Sequence, residues 1–351
     1  MWKLSKSPLR LFYCMVAWTS TAHTVKGSTW PIPSKTSVLD SRDKPFGYFM
    51  LGMWNIPSLQ TPLFLLLLMV YLITVAGNIL TVVLVVADWQ LHTPMYFLLG
   101  NLSSLEISYS STILPQLLVS FLTGDRTISA RGCLAQFYFF ASFVVTECFL
   151  LAAMSYDRYL AICQPLLYAS LMMQKFSLQL AAASWLVGLL ISTVVISFIS
   201  ELKFCGPKVI DHFFCVFKPL LELTCSDTSM VIIVTFFLSC LDLVFPFLFT
   251  VASYMCSIAT ILRIPSSVGR QKAFSTCSSH LTVVTVFYGT LIAVYMLPRT
   301  PRLRQLNKVF SFSYTVLMPL VNPLIYSLCN REVRETLRKA VRKALVCTQS
   351  S

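Results

Sequence analysis

Apolar residues run along this chain in long blocks, separated by short polar stretches. A helix rises 1.5 Å per residue, so roughly 20 mostly apolar residues cross the hydrocarbon of a bilayer. Seven blocks reach that length, at about 62–87, 95–118, 133–156, 176–200, 230–258, 274–297 and 309–328. Aromatic residues are spread through them, and Pro and Gly interrupt several, as bilayer helices tolerate. The alternating dyads of a membrane barrel are absent. The pattern predicts an all-α membrane protein, a seven-transmembrane helix bundle over residues 49–330. Residues 1–48 precede it and residues 331–351 follow it; with the N-terminus outside, they form an extracellular segment and a cytoplasmic tail.

Composition agrees. Of 351 residues, 56% are hydrophobic and 12% charged. A soluble domain carries about 25% charged residues, and half that share cannot cover a water-exposed surface of this size. The mean hydropathy of +0.73 also excludes a disordered chain. Lys+Arg 27 against Asp+Glu 14 gives a net charge of +13. These basic residues lie between apolar runs rather than in one block, so the expected partner is the lipid bilayer and not nucleic acid.

Charge alone leaves the orientation open. With the N-terminus outside, the inner side holds Arg158, Lys175, Arg263, Arg270, Lys272 and six tail residues; the outer side holds more, including Arg299, Arg302, Arg304 and Lys308 before span seven. Long N-terminal segments translocate largely regardless of charge. Cysteine is more informative. Cys133 opens span three, and Cys205, Cys215 and Cys225 share the loop after span four. Disulfides persist in oxidising compartments, so pairing among these four makes that face extracellular. A zinc reading of His212-x-x-Cys215 lacks a second ligand pair of similar spacing.

The segment 1–48 reads as a disordered basic extension. The alternative is a secretory signal outline, with Lys3, Lys6 and Arg10 before a short apolar run. The Asn101-Leu102-Ser103 triplet lies inside span two, where no glycan is expected. In the tail, Val333, Leu337, Ala340, Val341 and Ala344 share one helical face, and Arg334, Arg338, Lys339, Arg342 and Lys343 share the other. This predicts an interfacial helix on the inner leaflet. Cys347 is a candidate for acylation or a plain thiol.

Charge inside a bilayer is costly and usually functional. Glu106, Glu147 and Asp242 lie inside spans two, three and five, and no basic residue inside a span neutralises them. Each must be protonated, hydrated or paired with a cation. Counting at 1.5 Å per residue puts Glu147 about 16 Å, Glu106 about 18 Å and Asn322 about 12 Å above the inner ends of their spans. A common cluster suits a hard cation; two separately bonded acids are the alternative. Asp242 lies one turn before Pro246 and either lines a ligand cavity or sits on a helix seam.

Several motifs now carry a family resemblance. Span three ends Met154-Ser155-Tyr156-Asp157-Arg158-Tyr159-Leu160-Ala161-Ile162-Cys163, followed by Gln164-Pro165-Leu166-Leu167-Tyr168. Span one holds Gly77-Asn78, and the first inner loop reads Leu91-His92-Thr93-Pro94-Met95-Tyr96. Span six opens Lys272-Ala273-Phe274-Ser275-Thr276-Cys277-Ser278-Ser279-His280, and span seven closes Pro319-Leu320-Val321-Asn322-Pro323-Leu324-Ile325-Tyr326. The set resembles the odorant receptors of the tetrapod-type class, within the rhodopsin-like G-protein-coupled receptors, over about residues 47–346.

The resemblance implies an odorant receptor in the plasma membrane, N-terminus outside. It would bind small, mostly apolar odorants in an outer transmembrane cavity and activate a stimulatory G protein that raises cyclic AMP. It implies ligand contacts at Ala141, Val144, Val145, Cys148, Ser239, Asp242, Tyr288, Leu291, Tyr295 and Thr315. It implies an activation switch of Asp157, Arg158, Tyr254, Asn322, Pro323 and Tyr326. It implies disulfides Cys133–Cys215 and Cys205–Cys225, and a sodium site at Glu106 and Glu147 with Asn78 and Asn322. No other cofactor is expected, and no enzyme: a phosphate loop and a zinc-binding helix are both missing.

Departures from the family pattern are Ser155, Val216, Cys329 and the missing N-terminal glycosylation triplet; they bear on surface delivery more than on fold. Two rivals remain. An ion-coupled transporter would use Glu106 and Glu147, yet transporters usually show internal repeats, and none is seen. Another rhodopsin-like receptor is the second; Phe140 stands where amine receptors have an Asp, and span seven lacks the mid-membrane Lys of a retinal protein.

Overall fold

The computed structural model describes residues 47–50, 60–205, 209–296, 301–329, 333 and 335–338, some of them by backbone alone. The extension before residue 47 and the tail from residue 339, including Cys347, lie outside the described residues.

The predicted spans are helices, mostly longer than the apolar blocks. Span one is Gln60–Ala87, span two Pro94–Thr123, span three Ala130–Cys163, span four Gln174–Ser200 and span six Ser267–Met296. Span five runs from Ser229–Ser239 through a π turn, Cys240–Val244, into Phe245–Leu262. Span seven runs from Pro301–Phe312 through a π turn, Ser313–Leu317, into Met318–Cys329. Each π turn stands just before a proline, Pro246 or Pro319, that cannot donate to the helix behind it.

Spans one, three, four, five and seven each contain an 18-residue stretch apolar enough to cross a membrane; span six contributes the shorter His280–Val294. Span two is more polar because of its serines and threonines. Their hydroxyls are satisfied within the helix: Ser104, Ser108, Ser110 and Thr112 each donate to the carbonyl four residues back. Ser129 caps span three by accepting from the Gly132 amide at 3.1 Å. Asp227 accepts from both the amide and the hydroxyl of Ser229 at the head of span five. The hydroxyl above all holds that exposed carboxyl below its usual range.

Span three is the hub, packed along spans two, four and five, while span one lies against spans two and seven. Contact with span four depends on Gly188, where a Cβ would collide with Thr146 Oγ1 and the Ser142 carbonyl. Leu66 and Met69 on span one and Phe236 and Phe237 on span five face outward, as lipid-facing side chains should.

Small strands lie outside the bundle and were not anticipated by the apolar pattern. β1 (Gly47–Met50) pairs antiparallel with β2 (Thr127–Ser129) and parallel with β3 (Val209–Ile210). The boundary drawn at residue 48 therefore falls inside β1, because backbone pairing to the outer loops recruits Gly47 and Tyr48. Cys133 is joined to Cys215 and Cys205 to Cys225, with Cα–Cα separations of 5.5 and 5.9 Å. On the inner side, Val333 is buried, Leu337 packs against the main core, and Thr336 donates to Asp88 Oδ2 at 2.9 Å. The rest of the predicted tail helix lies outside the described residues.

Candidate functional site

The outer loop after span four dips into the bundle beside its disulfide. The Cys215 amide donates to Gln136 Oε1 at 3.0 Å, and Gln136 Nε2 donates to the Thr112 carbonyl and to Gln116 Oε1. This tie holds the adjacent Phe214 ring 4.8 Å from Phe140, which also stands beside Tyr109 and Tyr314. An aromatic wall thus fills the position where an amine receptor would carry an acid. Gln136 had no part in the sequence reading, since a single Gln on a span has no signature.

Beneath this wall, several predicted ligand residues are brought together. Tyr288 of span six is fully buried, and its hydroxyl donates to the Cys148 carbonyl of span three at 3.1 Å. Asp242 and Glu147 lie close enough for their charges to reach both Cys148 and Tyr288. Val145 and Leu291 are buried, and Val144 packs against the same core. Asp242 occupies the span five π turn, which aims a half-buried side chain differently from the flanking helix.

The remaining ligand candidates separate from this group. Ala141 packs against the outer cluster around the Cys133–Cys215 bridge. Thr315 is fully buried and donates to the Ser311 carbonyl of its own helix at 2.7 Å. Ser239 is half-buried at the end of the first segment of span five. The side chain of Tyr295 lies outside the described residues.

A cleft opens between the outer loop and the outer ends of spans six and seven. Its cavity space is about 60 Å³, well below the range of small-molecule sites. Its walls include Val216, Phe217 and Val294 together with Asp211, Asn307 and Lys308. Lys308, which is nearly buried, pairs with Asp211 at 2.5 Å. This resolves the excess of positive charge noted before span seven, as far as Lys308 is concerned. Among the described side chains, none of the predicted ligand residues lines the cleft.

Deeper, the predicted cation cluster has oxygen ligands ready. The Asn322 amide donates to Glu106 Oε1. Asn78 donates to the Thr74 and Pro319 carbonyls, each at 3.0 Å. Glu106 Oε2, Asn78 Oδ1 and Asn322 Oδ1 are all buried without a hydrogen-bond partner among the described residues. Glu147 is near enough for its charge to act on Glu106. Buried hard oxygens of this kind fit a sodium ion.

At the inner end, Arg158 pairs with Asp157 at 3.1 Å, and Asp157 also accepts from the Tyr168 hydroxyl at 3.1 Å. Burial, and then the Asp157 charge, push the Tyr168 phenol up to about 12. The Tyr254 hydroxyl is hydrogen-bonded to His280 Nδ1, joining spans five and six. The Arg158 charge reaches Tyr254, Cys277 and His280. Tyr168 and His280 were visible only as letters of family motifs; nothing in their spacing marks them as partners. The Tyr326 side chain lies outside the described residues, and Pro323 is buried against Gly77.

The profile of the olfactory receptor family matches residues 67–344. Human olfactory receptor 6P1 is 48% identical over 294 residues, covering 84% of this chain and 93% of that protein. Human olfactory receptor 6B1 is 46% identical over 301 residues, covering 86% and 96%. Mouse olfactory receptor 8U3 is 44% identical over 296 residues, covering 84% and 93%.

Proposed function

This chain belongs to the olfactory receptor family, and from that premise we propose how its side chains turn odorant binding into G protein activation. It is an odorant receptor, a multi-pass protein of the plasma membrane, and not an enzyme. Membership removes the transporter and the non-olfactory receptor from consideration.

The odorant enters the outer half of the bundle, around Val144, Val145, Cys148, Asp242, Tyr288 and Leu291. One observation carries this reading: the Tyr288–Cys148 hydrogen bond lies within that set and ties span six to span three. A ligand that takes over the Tyr288 hydroxyl frees span six. Only a ligand that binds the freed arrangement better shifts the population.

At the inner end, span six is held through His280 to Tyr254. Arg158 is held by Asp157, which Tyr168 restrains from the adjoining inner helix Pro165–Leu171. Release lets Arg158 leave Asp157 and engage a stimulatory G protein, which raises cyclic AMP. Two states that differ by such contacts form a switch. Glu106, Asn78 and Asn322, with Glu147 nearby, would hold a sodium ion. That ion would supply the positive charge the buried carboxyls lack. Asn322 would then change partners as Pro323 and the span around it shift.

The test is cyclic AMP in cells carrying the stimulatory olfactory G protein, with surface staining, against a broad odorant panel. Wild type is expected to respond. Arg158→Ala is expected to reach the surface and stay silent, and Tyr288→Phe to raise basal signalling. An undiminished odorant response in Arg158→Ala would overturn the switch.

A further inference from the structure

Asp242 sits half-buried in the π turn of span five, next to the buried Leu243. Its charge reaches Cys148 of span three and Tyr288 of span six, so the carboxyl faces the interior of the bundle rather than the lipid. It has no side-chain hydrogen-bond or ion-pair partner among the described residues. A second acid acts on the same two groups: Glu147 is 4% exposed and also has no hydrogen-bond partner among the described residues. The chain carries no Lys or Arg from 132 to 157 in span three, from 229 to 262 in span five or from 273 to 296 in span six. The sodium ion proposed at Glu106 supplies one positive charge for three intramembrane acids. A buried carboxylate needs a positive partner, and Asp242 finds none in the protein.

Donor counting narrows the ligand further. The Tyr288 hydroxyl donates to the Cys148 carbonyl at 3.1 Å. A ligand that takes the place of that hydroxyl must itself donate to the carbonyl. Aldehydes, ketones, esters and ethers have no donor, and a carboxylate would add a further negative charge. An alcohol has one O–H, which serves either Asp242 or Cys148. An ammonium has several N–H donors and the charge that Asp242 lacks, and its bond to a carboxylate is roughly twice as strong as a neutral one. The Tyr288 ring, 5.2 Å from that of Phe247, adds an aromatic face of the kind that attracts cations.

We propose that this receptor takes protonated alkyl amines, with the ammonium held by Asp242 and donating to the Cys148 carbonyl in place of Tyr288. The proposal rests on the reading of the Tyr288–Cys148 set as the odorant site and names the ligand class for it.

The test measures binding of butylamine, hexylamine and octylamine, each beside the alcohol of the same chain length, to the full-length receptor at neutral pH. Nanodiscs of uncharged phosphatidylcholine hold the receptor, and empty nanodiscs correct for uptake into lipid. Saturation-transfer NMR reads wild type, Asp242→Asn and Asp242→Glu. At least one amine should bind wild type about tenfold tighter than its alcohol, lose about that factor in Asp242→Asn and recover part of it in Asp242→Glu. The alcohols should not distinguish the three proteins. Absence of amine binding to wild type, or equal binding of every amine and its alcohol, would overturn the proposal without recourse to any variant. Unchanged amine binding in Asp242→Asn, or an equal loss of amine and alcohol there, would overturn it too. Cyclic AMP separates the two readings. Asp242-dependent amine binding that raises no cyclic AMP would overturn the signalling scheme alone; an alcohol-driven response that Arg158→Ala abolishes, without amine binding, would overturn this ligand class alone.

Discussion

Asn322 of span seven donates its side-chain amide to Glu106 of span two, which precedes it by 216 residues. The contact ties span two to span seven, and Glu106 Oε2, Asn78 Oδ1 and Asn322 Oδ1 are all buried without a hydrogen-bond partner among the described residues. Asn322→Leu removes the donor and strands the carboxyl, so purified receptor should lose about 1–3 kcal/mol of stability, read as an earlier thermal melt in nanodiscs. Wild type should melt later in sodium chloride than in potassium chloride, and Glu106→Gln should erase that difference. A sodium effect that survives Glu106→Gln would exclude the carboxyl as ligand.

Gly188 governs the closest approach of spans three and four. Gly188→Val puts methyl groups where Thr146 Oγ1 and the Ser142 carbonyl already stand. Overpacking of this kind costs about 1–3 kcal/mol. Surface staining of Gly188→Val should fall well below wild type, while Gly289→Ala, where a Cβ meets open space, should stain normally.

The Lys308–Asp211 pair is lopsided: the Lys308 side chain is 6% exposed and that of Asp211 38%. Asp211→Ala strands a nearly buried ammonium, a loss of about 3–5 kcal/mol for a fully buried pair. Lys308→Met leaves a carboxylate that water can reach and replaces the ammonium with apolar volume, so it should cost under about 1 kcal/mol. Thermal melts of the two single variants should therefore fall in that order, and reversal would mean that the pair is exposed on both sides.

Tyr168 restrains Asp157 from outside the membrane span. Tyr168→Phe should raise basal cyclic AMP by about tenfold or more without lowering surface staining, because a hydrogen bond to a charged carboxylate contributes about 1.5–3 kcal/mol. Its phenol is raised to about 12 from the ordinary 10.0. The stabilisation is thus complete below pH 10 and is lost as pH rises from about 10 through about 12. Phenolate absorbance should lose one tyrosine's titration near pH 12 in Tyr168→Phe.

Much of the molecule was legible in the linear chain. The apolar blocks located the spans, because a bilayer demands about 20 apolar residues whatever surrounds them. Blocks alone misjudged the ends: span three begins at Ala130 and runs to Cys163, where the helix leaves the hydrocarbon but keeps its hydrogen bonds. The π turns at Cys240–Val244 and Ser313–Leu317 were not legible, although Pro246 and Pro319 marked the neighbourhood. Depth counting placed Glu106 level with Glu147 and set Asn322 somewhat nearer the inner face; the actual Glu106–Asn322 contact needed the rotation of each helix as well.

Sequence by itself determined the seven-span architecture, the four special cysteines, the three intramembrane acids and the family motifs, since each depends on residue type and local spacing. Tertiary structure alone decided which groups meet. It put Tyr288 against the Cys148 carbonyl, Lys308 against Asp211 and Tyr168 against Asp157. Tyr288 is 140 positions from Cys148, and Lys308 is 97 from Asp211. Such pairings follow from how rigid helices turn and pack against one another, and no local spacing rule encodes that rotation.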